Sequence, residues 1–454
     1  MSADYDLVIL GGTVEGRTAA MLAAATYGAR VALIEPPGLF EHRQRQRYLL
    51  QGLQQVGKGL QRQAVGRRFG FGPTNHQPIH HQIDWTALVN WSAIAAQTQT
   101  AIHSPAVMSA NGVDVVRETP ERLSRQSTMG RLLVTTAQRQ LRSRAVLAAF
   151  GTVPTSAQSD GFETLLAARK LPEQVNVIGG SPAAVLWAEA FAQLGSGVTV
   201  VSDKLLASED GDIRRLVRSQ LITSGVKIIQ KRNLTPAIAE KYSLVIDDRQ
   251  PAFTLPSFVH RSASPLTVNR RLQTLHPRVF ACGSLLGGST HTALACYEAK
   301  IAVWNALFVV NQRVDYGAIA LDHGGAARAG LTEAQAKQRY GDATQIWTAS
   351  SANSADLSRQ MPLPRYCKLV SVGDRLVGIH LFGDGAGELI YLLAKAIGKP
   401  VATLSRFADG GPVVAETWME LVELAVGRSQ QTRWQVGQWR RDWAENWFNW
   451  RRSR

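Results

Sequence analysis

Cysteine is scarce in this chain. Three occur among 454 residues, at Cys282, Cys296 and Cys367. They lie far apart, form no CxxC pair and show no metal-ligand spacing. A disulfide framework and a structural metal site are thereby excluded, and scattered reduced thiols remain. Long apolar runs are lacking as well: none reaches the roughly 18 residues of a membrane span. The opening MSADYDLVIL has no basic leader followed by an apolar stretch and a small-residue cleavage site, so no signal peptide is expected and the chain reads as cytoplasmic. Negative charge is also in short supply. Fifty Lys and Arg stand against 35 Asp and Glu, a net charge of +15, with a pI near 10.1. That balance asks for an acidic partner. Nucleic acid is not the expected one, because no recognition motif is present and the charge is spread out. Basic residues concentrate only at EHRQRQRYLL (41–50) and at the end of the chain. Hydrophobic residues at 45% and charged residues at 19% suit a globular protein with a large core. The length suggests about two to four domains.

The first motif is VILGGTVEG, residues 8–16. The apolar run YDLVIL before it suits a buried parallel strand. The alanine-rich stretch Arg17 to Gly28 favours a helix, with Gly28 as its end signal. ARVALIE then reads as a second strand ending in Glu35. A strand, tight turn, helix and strand followed by an acid is the dinucleotide-binding arrangement. The helix N-terminus offers N–H groups to a pyrophosphate, and the acid accepts from ribose hydroxyls. Gly11, Gly12, Thr13, Val14, Glu15, Gly16 and Glu35 are therefore candidate cofactor-binding residues. An ordinary βαβ unit with a small-residue turn is the alternative. Thr13 replaces the middle glycine, so its methyl could crowd the phosphate or its hydroxyl could bond to it.

A second unit repeats the design between Leu171 and Asp203. Val175 to Ile178 reads as a strand, Gly179 to Ala184 as the turn, Ala183 to Leu194 as the helix and GVTVVSD as the next strand. Gly179, Gly180, Ser181, Ala183 and Ala184 are the matching candidates. Ser181 takes the middle-glycine position, and Ser202, followed by Asp203 and Lys204, stands where an acid is expected.

Two such units followed by a third block resemble the flavoprotein disulfide reductases, over roughly residues 4–425. The family includes dihydrolipoamide dehydrogenase, glutathione reductase and mercuric reductase. Further stretches carry the likeness. IDWTALVNW (83–91) looks like the segment leading into the second helix of the family's FAD domain. RAVLAAFGTVP (144–154) resembles its ATGxxP turn and contributes Gly151. DDRQPA keeps Arg249 and Pro251 of GRxPN. HPRVFACGS (276–284) resembles TxxPxIYAxGD and contributes Gly283 and Ser284. AGLTEAQAK (329–337) and KLVSVGDRLVGIHLFGDGAGELI (368–390) resemble the dimerisation domain.

The resemblance implies an α/β fold with two Rossmann-like nucleotide-binding domains and a C-terminal α+β dimerisation domain. The expected division is an FAD domain at 1–155 and 250–312, an NAD(P)-type domain inserted at 156–249, and a dimerisation domain at 313–426. A basic tail occupies 427–454. FAD is the implied cofactor and a homodimer the implied assembly. NAD(P)H binding is left open, because only about a dozen residues separate GVKIIQ (225–230) from SLVID (243–247), where the family has a meander.

The departures are chemical. The family's CxxxxC pair follows the first acid, but PPGLFEHRQRQRYLLQGLQQ contains no cysteine. Thiol exchange requires a thiolate, so disulfide reduction is not expected there. The acid–base His of the family's HPTxxE is Gly411, although Pro412 and Glu416 remain. The Asp that in the family bonds the ribityl chain is Ser284. No catalytic residue is assigned. The reading is an FAD-dependent oxidoreductase that passes electrons to a non-thiol acceptor such as a quinone. A non-catalytic scaffold at a membrane surface is the alternative.

The tail TRWQVGQWRRDWAENWFNWRRSR (432–454) places Trp439, Trp443, Trp447 and Trp450 on one helical face, flanked by arginines. That pattern suits an anionic membrane interface, a protein partner or the dimer's own core. The arginines of RQRQRYLL (43–50) either hold an anion near the flavin or form a solvated helix face.

Overall fold

A computed structural model of the chain describes residues 3–68, 83–125, 131–150, 161–230, 245–247, 255, 257, 259, 266–286, 292–315, 320–322, 325–351, 365–407, 418, 421–422 and 424–426. The chain divides into two compact units. One comprises Met1–Ser208 with Leu221–Asp315, the other Glu209–Gln220 with Tyr316–Arg454. Glu209–Gln220, which the sequence reading put in the inserted domain, thus groups with the C-terminal unit. The tail, Gly151, Arg249, Pro251, Gly411, Pro412 and Glu416 lie outside the described residues.

In the first unit, β1 (Ala3–Leu10) leads into α1 (Val14–Met21), a π-helical stretch (Leu22–Thr26) and β2 (Val31–Ile34). The helix starts before Arg17 because the Thr13 side chain caps it. It ends before Gly28, which takes φ +66°, a conformation glycine adopts without a Cβ clash. Next come α2 (Leu39–Arg68), α3 (Trp85–Ile102) and α4 (Pro105–Ala110). Asp84 caps α3, accepting from Ala87 N at 2.8 Å. The strands β3 (Val113–Val116), β4 (Pro120–Arg125), β5 (Leu132–Thr136) and β6 (Gln140–Ala148) follow.

After α5 (Gly161–Ala167) the second motif forms β7 (Gln174–Ile178), α6 (Pro182–Gln193) and β8 (Gly197–Ser202). Beyond α7 (Gly211–Thr223), β9 (Lys227–Gln230) and β10 (Val245–Asp247) complete a parallel sheet ordered β10-β7-β8-β9. The stretch between β9 and β10, where the sequence suggested a lost meander, lies outside the described residues. The chain returns to the first sheet at β11 (Val279–Ala281) and packs α8 (Thr292–Leu307) against α1.

The first sheet is ordered β3-β2-β1-β6. β5 and β4 extend the first half of β6 as an antiparallel meander, and β11 pairs in parallel with its second half. Leu7, Val8, Ile9 and Leu10 of β1 are fully buried. A central parallel strand is covered on both faces, which is why it reads as an unbroken apolar run. β1 pairs with β2 on one side and β6 on the other. The order therefore reverses at β1, and the turn after it sits at a topological switch point, where open α/β sheets bind ligands.

The second unit is an antiparallel sheet in the order β12 (Ala320–Asp322), β13 (Ala326–Gly330), β16 (Arg375–Phe382), β15 (Arg365–Val372) and β14 (Thr344–Ser351). The loop between β13 and β14 carries α9 (Glu333–Tyr340), started by a capping box between Thr332 and Gln335. After β16, α10 (Ala386–Leu393) packs Ile390 and Leu393 with Leu369, Ile379, Leu381 and Trp418. This unit also buries a charge cluster. Lys368 Nζ lies 2.8 Å from Glu333 and 3.0 Å from both Asp210 and Asp212. Arg328 pairs with Glu209 at 2.8 Å.

Candidate functional site

The turn after β1 is built so that backbones touch. Gly11 has φ +111°, and a Cβ there would run into the backbone of Phe150. A Cβ at Gly16 would overlap Gly11 O, and one at Gly12 would overlap the Glu35 carboxylate. These are the close approaches for which the motif needs glycine. Thr13 fits because it turns inward. Its hydroxyl donates to Ala149 O at 2.6 Å and accepts from Gly16 N at 3.2 Å. The Thr13 side chain is buried and engaged by the protein itself.

Glu35 is also engaged. Arg17 Nη2 reaches its two oxygens at 2.6 and 2.7 Å. Both side chains are buried, and the guanidinium lies 3.8 Å over the ring of Phe40. Arg17 further donates to Gly12 O at 3.4 Å and to His103 O. Burial pushes the Glu35 carboxyl up against the pull of Arg17, and burial draws Arg17 down against Glu35.

Glu15 is the third buried charge. It lies in the first turn of α1, with its carboxylate against the Cα of Gly283. Burial pushes its carboxyl up, while its own backbone N–H, the Arg43 charge and the Thr13 hydroxyl oppose that shift. Arg43 on α2 donates to Phe150 O at 3.1 Å, so this member of the arginine run faces the turn rather than forming a solvated surface. Gly283, at φ +80°, donates to Glu298 Oε2 on α8 at 2.7 Å and opens a short 3-10 turn with Ser284.

The structure thus brings Gly11, Gly12, Thr13, Val14, Glu15, Gly16, Glu35, Gly283 and Ser284 to one place; Phe150, next to Gly151, backs Gly11. The sequence offered Arg43 only as one of two readings of its arginine run, and it did not single out Arg17 or Glu298. A signal was available for both. Arg17 follows the last glycine directly, and Glu298 is the one acid in TALACYEAKIAVWNAL.

The second turn repeats the backbone. Gly179 has φ +129°, and Ser181 caps α6 by accepting from Ala184 N at 3.1 Å. Ala183 and Ala184 fall in the first turn of the helix. A Cβ at Gly180 would meet Ser202 Oγ and Lys204 O. Ser202 therefore stands where Glu35 stands in the first unit, and its hydroxyl accepts from Lys204 N at 3.2 Å. In both units a hydroxyl cap replaces the middle glycine.

Residues 5–251 match the family described as pyridine nucleotide-disulphide oxidoreductase, and residues 320–418 match its dimerisation domain. The chain belongs to this family of FAD-dependent oxidoreductases. It is 27% identical to a dihydrolipoyl dehydrogenase of Bacillus subtilis, across 75% of this chain and 82% of that one. It is 23% identical to a glutathione reductase of Nostoc, across 87% and 94%. A mercuric reductase of Lysinibacillus sphaericus is 25% identical across 57% of this chain and 54% of its own length, so that match spans about half of the relative. Among solved structures, LpdA from Mycobacterium tuberculosis superposes with a TM-score of 0.69, covering 92% of this chain and 98% of that one, at 20% identity. That likeness establishes the fold. Members of the family use FAD and NAD(P)H. The dimerisation domain supports a homodimer. Among the described residues no helix is long and apolar enough to cross a membrane.

The backbone of the first turn fits FAD: its glycines allow close approach, and α1 presents its N-terminus. Two side chains qualify the fit. Glu15 places a carboxylate at the helix start, and Arg17 holds both oxygens of Glu35.

Among the thiols, Cys282 and Cys367 are buried and Cys296 is half-buried. Burial pushes all three up, Cys367 to about 12. None is poised as a thiolate at neutral pH.

Proposed function

We propose that the chain is an FAD-dependent oxidoreductase without a redox disulfide, passing electrons from NAD(P)H to a non-thiol acceptor such as a quinone. One observation carries the reading: the segment after Glu35, which holds the family's cysteine pair, contains none, and α2 presents Arg43 to the turn instead. FAD, when bound, supplies the redox chemistry, and the protein positions it. In this reading the backbone of Gly11 to Gly16, together with Glu35, Gly151, Gly283 and Ser284, holds FAD, while Gly179, Gly180, Ser181, Ala183 and Ala184 receive the nicotinamide dinucleotide. Arg43 supplies a cation beside the α1 N-terminus. The five-part division of the chain, from the split FAD domain to the basic tail, belongs to the same proposal. So does docking of the tail on an anionic membrane surface or a protein partner.

The Arg17–Glu35 pair favours a second reading, a non-catalytic scaffold, because it satisfies the ribose-binding acid internally. The visible spectrum of the purified protein separates the two. Flavin bands near one per chain that bleach with NADH or NADPH support the enzyme. A colourless protein that excess FAD does not colour supports the scaffold.

A further inference from the structure

Glu15 stands in the turn that receives FAD if the reading above is correct, and the family's fingerprint gives it no role. It occupies the first turn of α1, behind the Thr13 cap. A helix N-terminus attracts anions through its free N–H groups and dipole, which is why such turns seat pyrophosphate. Here the chain supplies its own anion to that place. The carboxylate is buried, packs on Gly283 and lies within reach of its own backbone N–H.

Among the described residues, Arg43 on α2 is the cation that acts on it, while Arg47 on α2 and Lys300 on α8 act on the nearby Cys296. Glu298 on α8, bound to Gly283 N, adds a second carboxylate. Cys282 and Cys296 face the same space, and their thiols are raised partly by the Glu15 charge. A pyrophosphate bound at the α1 N-terminus would add negative charge in a poorly solvated place, where like charges interact far more strongly than in water. The buried Glu15 carboxylate would relieve the conflict by taking a proton.

We propose that Glu15 competes with the FAD pyrophosphate for the N-terminus of α1, so that FAD binds with uptake of one proton by the Glu15 carboxylate and is held less tightly as pH rises. The sign follows from linkage. Burial already raises Glu15 in the free protein, and a bound dinucleotide would raise it further through its like charge. Between those two values binding takes up a proton and affinity falls with pH, by at most about tenfold per unit for one site. Glutamine keeps the shape of Glu15 but has no charge to neutralise.

The test is calorimetric titration of the flavin-stripped, full-length protein with FAD from pH 6 to 9. Two buffers of different ionisation heat count the protons. The wild type is expected to take up protons and to weaken with pH. Glu15→Gln is expected to bind at least tenfold more tightly at pH 8, with a flat profile and no proton uptake. Glu35→Gln, which removes another buried carboxylate near the turn, is expected to keep the slope. Equal affinity and equal profiles for wild type and Glu15→Gln, with FAD bound, overturn the proposal while leaving the FAD reading intact. Loss of the slope in Glu35→Gln alone overturns it too. If Glu15→Gln does not fold, the wild-type proton count decides. Failure of every folded form to bind FAD overturns the FAD reading, and the proposal with it.

Discussion

Arg17→Met tests the idea that the first turn is held together by a buried ion pair. In the wild type, one guanidinium nitrogen serves both Glu35 oxygens at 2.6 and 2.7 Å, and both side chains are at most 5% exposed. Methionine fills much of the apolar stem and keeps a contact with Phe40, so the change is mainly electrostatic. It leaves Glu35 charged, buried and unpaired. Removing one partner of a buried pair costs about 3–5 kcal/mol. At about 2–4 °C per kcal/mol for a domain of this class, the midpoint of thermal unfolding falls by roughly 6–20 °C. The penalty depends on pH. Burial already pushes the Glu35 carboxyl up, and losing Arg17 pushes it further. The cost is full above that raised value and shrinks as pH falls through it, because Glu35 then becomes neutral in the folded state. Calorimetric scans at pH 7.5 and pH 5 measure both effects. The double variant Arg17→Met/Glu35→Met carries no buried charge and recovers most of the loss. A loss under about 1 kcal/mol for Arg17→Met at pH 7.5, or a double variant no more stable than the single one, refutes the reasoning.

Other outcomes follow from the same geometry. Lys368→Met removes the cation shared by Asp210, Asp212 and Glu333 and destabilises the C-terminal unit by about 3–5 kcal/mol at neutral pH, measured by urea unfolding. In the wild type, Lys337 and Lys368 hold the Glu333 carboxyl low. Burial raises Asp212, but hydrogen bonds from Tyr366 and Lys368 outweigh it. Their contribution is therefore full above the ordinary carboxylate range and is lost as pH falls through their depressed values; a flat acid limb counts against this. Thr13→Ala removes the α1 cap and costs about 1 kcal/mol, whereas Thr13→Gly costs only a few tenths of that in cap energy. Ellman's reagent at pH 8 titrates at most Cys296 in the native protein and all three cysteines in denaturant. Rapid reaction of Cys282 or Cys367 sinks the claim that no thiolate is poised. For the proposed docking of the tail on an anionic membrane, which rests on the Trp and Arg pattern of 432–454 alone, the full chain is expected to float with anionic liposomes and the chain without those residues to stay behind as an intact dimer; a truncated protein that floats equally well excludes the tail as anchor.

Much of the fold was legible in the sequence because its signals are local. The run LVIL is apolar on both faces, as only a central parallel strand requires. Gly11, Gly16 and Gly180 occupy turns where a Cβ collides with backbone, so the strand–turn–helix units could be placed from spacing alone. The absence of cysteine after Glu35 needs no coordinates either. The partners of the buried charges needed tertiary structure. Arg17 and Glu35 lie on different elements and meet only when β2 pairs beside β1 and α1 packs over them. Arg43 belongs to a run that reads equally well as a solvated face, and only the course of α2 turns it toward Phe150 O. Glu15 and Glu298 converge on Gly283 from helices far apart in the chain. Periodicity and turn chemistry record what a residue's neighbours in sequence demand. The state of a buried carboxylate is decided by the low dielectric around it and by which cation the fold delivers, and the fold alone sets both.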